Sequence, residues 1–147
     1  IQHAVAPVVR AAALERFVRA QQPDFERALA ELRAGCKGTH WMWYVLPQLR
    51  GLGHSSMAWQ YGLDGREEAL AYAAHPLLAP RLVQCVQAVL QHEDRSAAQI
   101  LGEVDALKFR SCLTLFAEVA PHEPCFAQAL RRFYAGQPDP RTLRLLG

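Results

Sequence analysis

The chain has 147 residues, of which 51% are hydrophobic and 20% charged, with four cysteines and a net charge of +2. A chain of this length makes one domain and buries roughly 68–70% of its unfolded surface, so its core needs no metal or disulfide staple. The composition excludes a disordered or acidic-tail protein. Basic residues scattered among acids, as in Glu31-Leu32-Arg33 and Arg66-Glu67-Glu68, exclude a nucleic-acid footprint.

In chain order, residues 1–13 lack an initiator methionine and the charged start and long apolar block of a signal peptide, and read as an N-terminal extension to a single helical domain, 14–147. Leu14, Phe17 and Val18, then Phe25, Ala28, Leu29 and Leu32, follow a helical stripe that Gly35 stops. Asp24 either caps a second segment or sits within one continuous helix. Trp41 to Leu46 is a short helix, apolar nearly all round, with Thr39 as N-cap and Pro47 as stop. Ser55 to Tyr61 forms another turn. Asp64 and Glu67 have capping-box spacing for a helix to about His75, Pro80 opens the next, and Ser96 with Gln99 repeats the box before Gly102. Helix runs from about Asp105 to Val119 and from Pro124 to Tyr134, and Asp139-Pro140 begins a last turn. About eight helices and no strand predict an all-α, single compact domain.

No apolar run approaches the roughly 20 residues of a membrane span, and the cysteines show no C-x-x-C; a protein with reduced thiols in the cytoplasm is expected, with no membrane partner.

The segment from Gly35 to Gln48 carries the densest chemistry, with Trp41, Trp43, Tyr44, His40 and Lys37 between glycine-rich turns. Its residues lie within a wider ordered pattern. Lys37 through Gly53, Tyr61-Gly62-Leu63, His75-Pro76, Asp105 through Ser111, Thr114-Leu115-Phe116 and Pro138 through Leu143 resemble the bacterial family catalogued as domain of unknown function 1810, from about Leu14 to Gly147. The resemblance implies a compact, mainly helical domain without an established activity. Some members of that family bear an automatic calpastatin label, but calpastatin is a disordered inhibitor and this chain has the opposite physics.

Three constellations follow from the residues themselves. The turn before Trp41 leads into a helix end whose first N–H groups lack internal partners, and Lys37 with the Thr39 hydroxyl would complement a phosphate or carboxylate there. It is not a P-loop, and the competing reading makes Thr39 an ordinary cap, Lys37 solvated and the rings core. Lys108, Ser111 and Thr114 share one side of a helix with Asp105 a turn earlier, which is either a pocket wall or a simple Asp105–Lys108 surface pair. Lys-x-x-Ser here reverses the Ser-x-x-Lys of penicillin-recognising hydrolases. His40 is the imidazole suited to proton transfer, against a structural histidine. Cys36 with His40 and His122 with Cys125 fit no zinc spacing, so neither metal nor other cofactor is expected.

These readings combine into a cleft in which Lys37, Thr39, Gln48, Lys108 and Ser111 bind a small anionic, flat ligand such as a nucleotide derivative. Trp41 or Trp43 stacks on it, and His40 is the catalytic candidate should turnover occur. The alternative is a non-enzymatic protein-interaction module reading Trp59, Tyr61 and neighbouring apolar residues.

Overall fold

A computed structural model describes residues 2–147, with side chains from residue 12 onward. The described residues form nine helices: α1 (Gln2–Ala34), α2 (Met42–Val45), α3 (Ser56–Tyr61), α4 (Arg66–Ala74), α5 (Leu78–Leu90), α6 (Ala97–Leu101), α7 (Glu103–Val119), α8 (Cys125–Tyr134) and α9 (Pro140–Leu146). Among them the only strand-like pairing is one isolated bridge, Leu49 with Leu63. The predicted all-α domain is therefore observed.

The arrangement follows from which helix is buried on most sides. In α7, Phe109, Cys112, Leu113, Leu115 and Phe116 are all fully buried, so this helix must be surrounded, and it packs against α4, α6, α8 and α9. α1 buries one stripe, Leu14, Phe17, Phe25, Ala28, Leu29 and Leu32, against α2, α4 and α5. It runs without a break past residue 13, where the extension was expected to meet the domain; the extension's side chains up to residue 11 lie outside the described residues. Asp24 sits inside this continuous helix and caps nothing. Its carboxylate accepts the Tyr44 hydroxyl and pairs with Arg27 at 2.6 Å.

Several termini form as the sequence indicates. Ser55 accepts the Ala58 N–H, Ser96 and Gln99 close a capping box, and Asp139 caps α9 with Pro140 in its first turn. Gly35 ends α1 in a Schellman turn at φ +78°, with its N–H on Leu32 O (3.1 Å) and the Cys36 N–H on Glu31 O (3.1 Å). Two expected caps are corrected. The N-cap of α2 is Trp41, not Thr39, and its side chain makes no capping bond; that of α4 is Gly65, while Asp64 gives its backbone N–H to Glu68.

A charged pair locks α1 to α4. Arg16 meets Glu68 at 3.0 Å and also donates to the carbonyls of Gln60 and Gly62. Burial works against the Glu68 charge, but the Arg16 bonds, the Asp64 N–H and the nearby Arg50 charge together hold the carboxyl below its ordinary range. Gly62 allows this close turn, because a Cβ there would lie 2.6 Å from the Arg50 Cα.

Candidate functional site

The turn after α1 is organised by a residue absent from the sequence-based constellations, Glu31 in the last turn of α1. Its carboxylate accepts four hydrogen bonds: from the N–H groups of Gly38 (2.8 Å) and Thr39 (3.1 Å), the Thr39 hydroxyl (2.6 Å) and the Trp41 indole N–H (2.9 Å). Burial would raise its pKa, yet these donors together pull it down to about 2. The segment does cradle an anion, and that anion belongs to the protein. Thr39 is thus committed to Glu31, and Trp41, fully buried with its N–H used, is core rather than a stacking platform.

The two lysines meet as the sequence suggests, on opposite sides of Asp105. Lys37 Nζ lies 2.9 Å from one carboxylate oxygen and Lys108 Nζ 3.9 Å from the other. The Lys37 side chain is only 7% exposed, donates to Thr39 O (2.6 Å) and lies 5.0 Å over the Trp41 ring. Its backbone N–H is fixed by Ile100 O of α6 at 2.7 Å. Lys37 is therefore an internal strut between the turn and α7. Lys108 is freer, at 5.3 Å over the half-buried Trp43 ring.

Trp43, Gln48 and Lys108 line one crevice with Met57 and Tyr61, but its open volume is about 10 Å³, room for roughly one water. His40 is exposed, and its imidazole has no hydrogen-bonding or ion-pair partner among the described residues, so no carboxylate orients it. Ser111 is not part of this group. Its hydroxyl donates to Leu107 O and to the Asp139 carboxylate (2.9 Å), which also accepts the Thr142 hydroxyl (2.6 Å), while Thr114 accepts the Asp139 N–H (2.8 Å). Burial opposes the Asp139 charge, and these hydroxyls hold its pKa below the ordinary value. The Ser111 and Thr114 stripe is a buried latch for α9.

Residues 11–146 match the family described as "Protein of unknown function (DUF1810)". The chain belongs to this family. Its structure is similar to the crystal structure, at 1.38 Å, of the conserved hypothetical protein Rv1873 from Mycobacterium tuberculosis. The two share 48% identity and a TM-score of 0.89, over 90% of this chain and 95% of that one. No curated protein matches the chain. Family membership brings no reaction with it, so function must be argued from the surface itself.

Two surface features stand out: the sequence offered the Trp59 patch, although Tyr61 packs inward against Phe17 and Tyr44, and the other has no local sequence signal. The Trp59 side of the family domain keeps that indole 65% exposed, with the Arg50 guanidinium 4.6 Å over the ring and donating to Trp59 O (2.8 Å). Beside it is an open depression of about 280 Å³, lined by Leu49 and Leu63 and by Leu145, itself 53% exposed. The second is a groove of about 420 Å³ where α4, α5 and the start of α8 meet. Small alanines open it, and no local sequence pattern says that they face one another. Among the described residues, no helix is long and apolar enough to cross a membrane, and no three His, Cys, Asp or Glu side chains gather to hold a metal.

Proposed function

We propose that this protein is a non-enzymatic interaction module whose partner seats on the Trp59 face. The observation that carries the reading is the exposure of Trp59, 65%, on an indole already oriented by Arg50. The fold gains little from an indole so placed. Trp and Arg are enriched in binding hot spots; the indole brings large contact area with few torsions to freeze, Arg50 is already held by its bond to Trp59 O, and the leucine-lined depression gives a partner side chain somewhere to go. Arg50 and Asp64, 3.7 Å apart, form a polar rim.

The aromatic segment gives a small anionic ligand less to hold. Glu31 occupies the N–H cradle, Asp105 neutralises Lys37, Trp41 is sealed and the crevice admits about one water. The unpaired thiols suit a reducing, cytoplasmic setting.

Crosslinking of the tagged protein in its native cell, followed by binding titration of the recovered partner, tests this reading. Trp59→Ala should weaken the complex by about 2 kcal/mol, roughly thirtyfold, while His40→Ala leaves it unchanged. Equal binding by wild type and Trp59→Ala, or loss with His40→Ala, would overturn it.

One observation favours a second reading. Two ammonium groups share the single Asp105 carboxylate, which leaves a surplus positive charge at Lys108 beside Trp43. A phosphate or carboxylate group could join that cation if Met57 and Trp43 parted, with Gln48 donating; His40, the catalytic candidate, does not line this crevice and would have to swing in to transfer a proton. A thermal-shift screen of nucleotides and phosphorylated metabolites tests it: a true ligand stabilises wild type, by about 2.7 kcal/mol at 100 times its dissociation constant, but not Lys108→Ala.

A further inference from the structure

We infer that the groove between α4, α5 and α8 is a separate binding site for a small amphiphilic organic cation, an apolar body carrying an amine. This site is independent of Trp59 and of the aromatic segment. Its volume, about 420 Å³, lies in the range of small-molecule pockets, roughly 300–1,000 Å³. The floor is apolar and deeply set, made by Leu82, Ala120 and Phe126, each no more than 3% exposed. Ala73 and Ala79 form the walls, and their short side chains leave the space that larger residues would fill.

Charge selects the occupant. Glu123 is the acidic residue lining this groove; the exposed His122 is the other ionisable side chain of the lining, and among the described residues no Lys, Arg or His nitrogen lies within ion-pair distance of the Glu123 carboxylate. Its carboxylate takes a long bond, 3.4 Å, from the Cys125 N–H at the start of α8 and a contact from the Cys125 thiol, both on the side turned to that helix end. Its remaining lone pairs are available to a donor in the groove. A carboxylate at the edge of an apolar hollow, where water is partly displaced, favours a cationic head over a neutral one and repels an anionic one. The neighbouring Cys125 is no competing nucleophile, since burial and the Glu123 charge push its thiol up to about 12.

Three probes with one rigid apolar cage and different heads test the assignment: adamantylamine, adamantanol and adamantanecarboxylate, titrated against the labelled full chain by amide NMR. The expected result is saturable shifts centred on Ala73, Ala120 and Phe126, with the amine binding about tenfold tighter than the alcohol and the carboxylate weakest. Glu123→Gln should erase the preference for the amine while leaving alcohol binding intact, which separates loss of charge from loss of fold. Ala79→Phe, at a partly exposed position, should abolish binding of all three with the rest of the spectrum unchanged. Absence of saturable shifts with the amine, equal affinity for amine and carboxylate, or an amine preference that survives Glu123→Gln would overturn the proposal.

Discussion

Trp41 and Trp59 each lie under a cation, at 5.0 Å from Lys37 and 4.6 Å from Arg50, and meet opposite fates. Trp41 is fully buried, its N–H bound to Glu31 and its cation neutralised by Asp105; Trp59 stays 65% exposed beside an open depression. Around Trp41 the donors find partners inside the protein, so that region contributes stability. Around Trp59 Arg50 covers one side of the ring and most of the indole stays open, so that region is the one left for contact with something else. A dense cluster of rings and charges thus marks a functional surface only when its bonds remain unmade.

The sharpest way to break this comparison is Glu31→Ala. It strands two backbone N–H groups, a hydroxyl and an indole N–H, of which the indole is wholly buried and cannot turn to water. A loss of about 3 kcal/mol in urea unfolding is expected; a loss below about 1 kcal/mol would show that the turn is not held from Glu31.

Acid should produce the next largest effect. The folded pKa of Glu31, about 2, lies below its ordinary 4.5, so its contribution is complete above the unfolded value and disappears as pH falls through 4.5 toward 2. At full strength that shift corresponds to about 3 kcal/mol, and about 2 kcal/mol after screening at a half-exposed turn. Glu68 and Asp139, also lowered, add losses of the same sign. Denaturation midpoints measured from pH 6 to pH 2 should fall for wild type and fall less for Glu31→Gln.

Thr39→Val removes one donor at nearly constant shape. It should cost about 1 kcal/mol, because Glu31 keeps three of its four bonds. Trp59→Ala is the smallest in this series, within about 0.5 kcal/mol of wild type in unfolding, since so little of the ring is buried. A large destabilisation by that change would make Trp59 structural and erase the contrast with Trp41.

Much of this was visible in the chain. The stripe of Leu14, Phe17, Phe25 and Leu32 marks the buried face of α1, and Ser55, Ser96 and Asp139 mark helix starts, because each acts through neighbours a few positions away. The spacing of Asp105 and Lys108 already marks their pair, whereas the approach of Lys37 to the same carboxylate crosses some seventy positions and has no local signal. Ser111 read as a pocket residue because its partner Asp139 lies 28 positions on, in a helix whose docking no periodicity reveals. Glu31 stands in the sequence only as one acid beside a base in Glu31-Leu32-Arg33, and its donors arrive from the turn seven to ten positions on.

The sequence by itself determined the helices, most of their ends and the apolar stripes that face the interior, since spacing of 3.6 residues and capping chemistry are local. The tertiary structure alone decided which carboxylate met which donor, which indole was sealed and where alanines left a groove. Those outcomes depend on side chains brought within 3 Å from distant positions, and a pattern repeating every turn carries no record of such meetings.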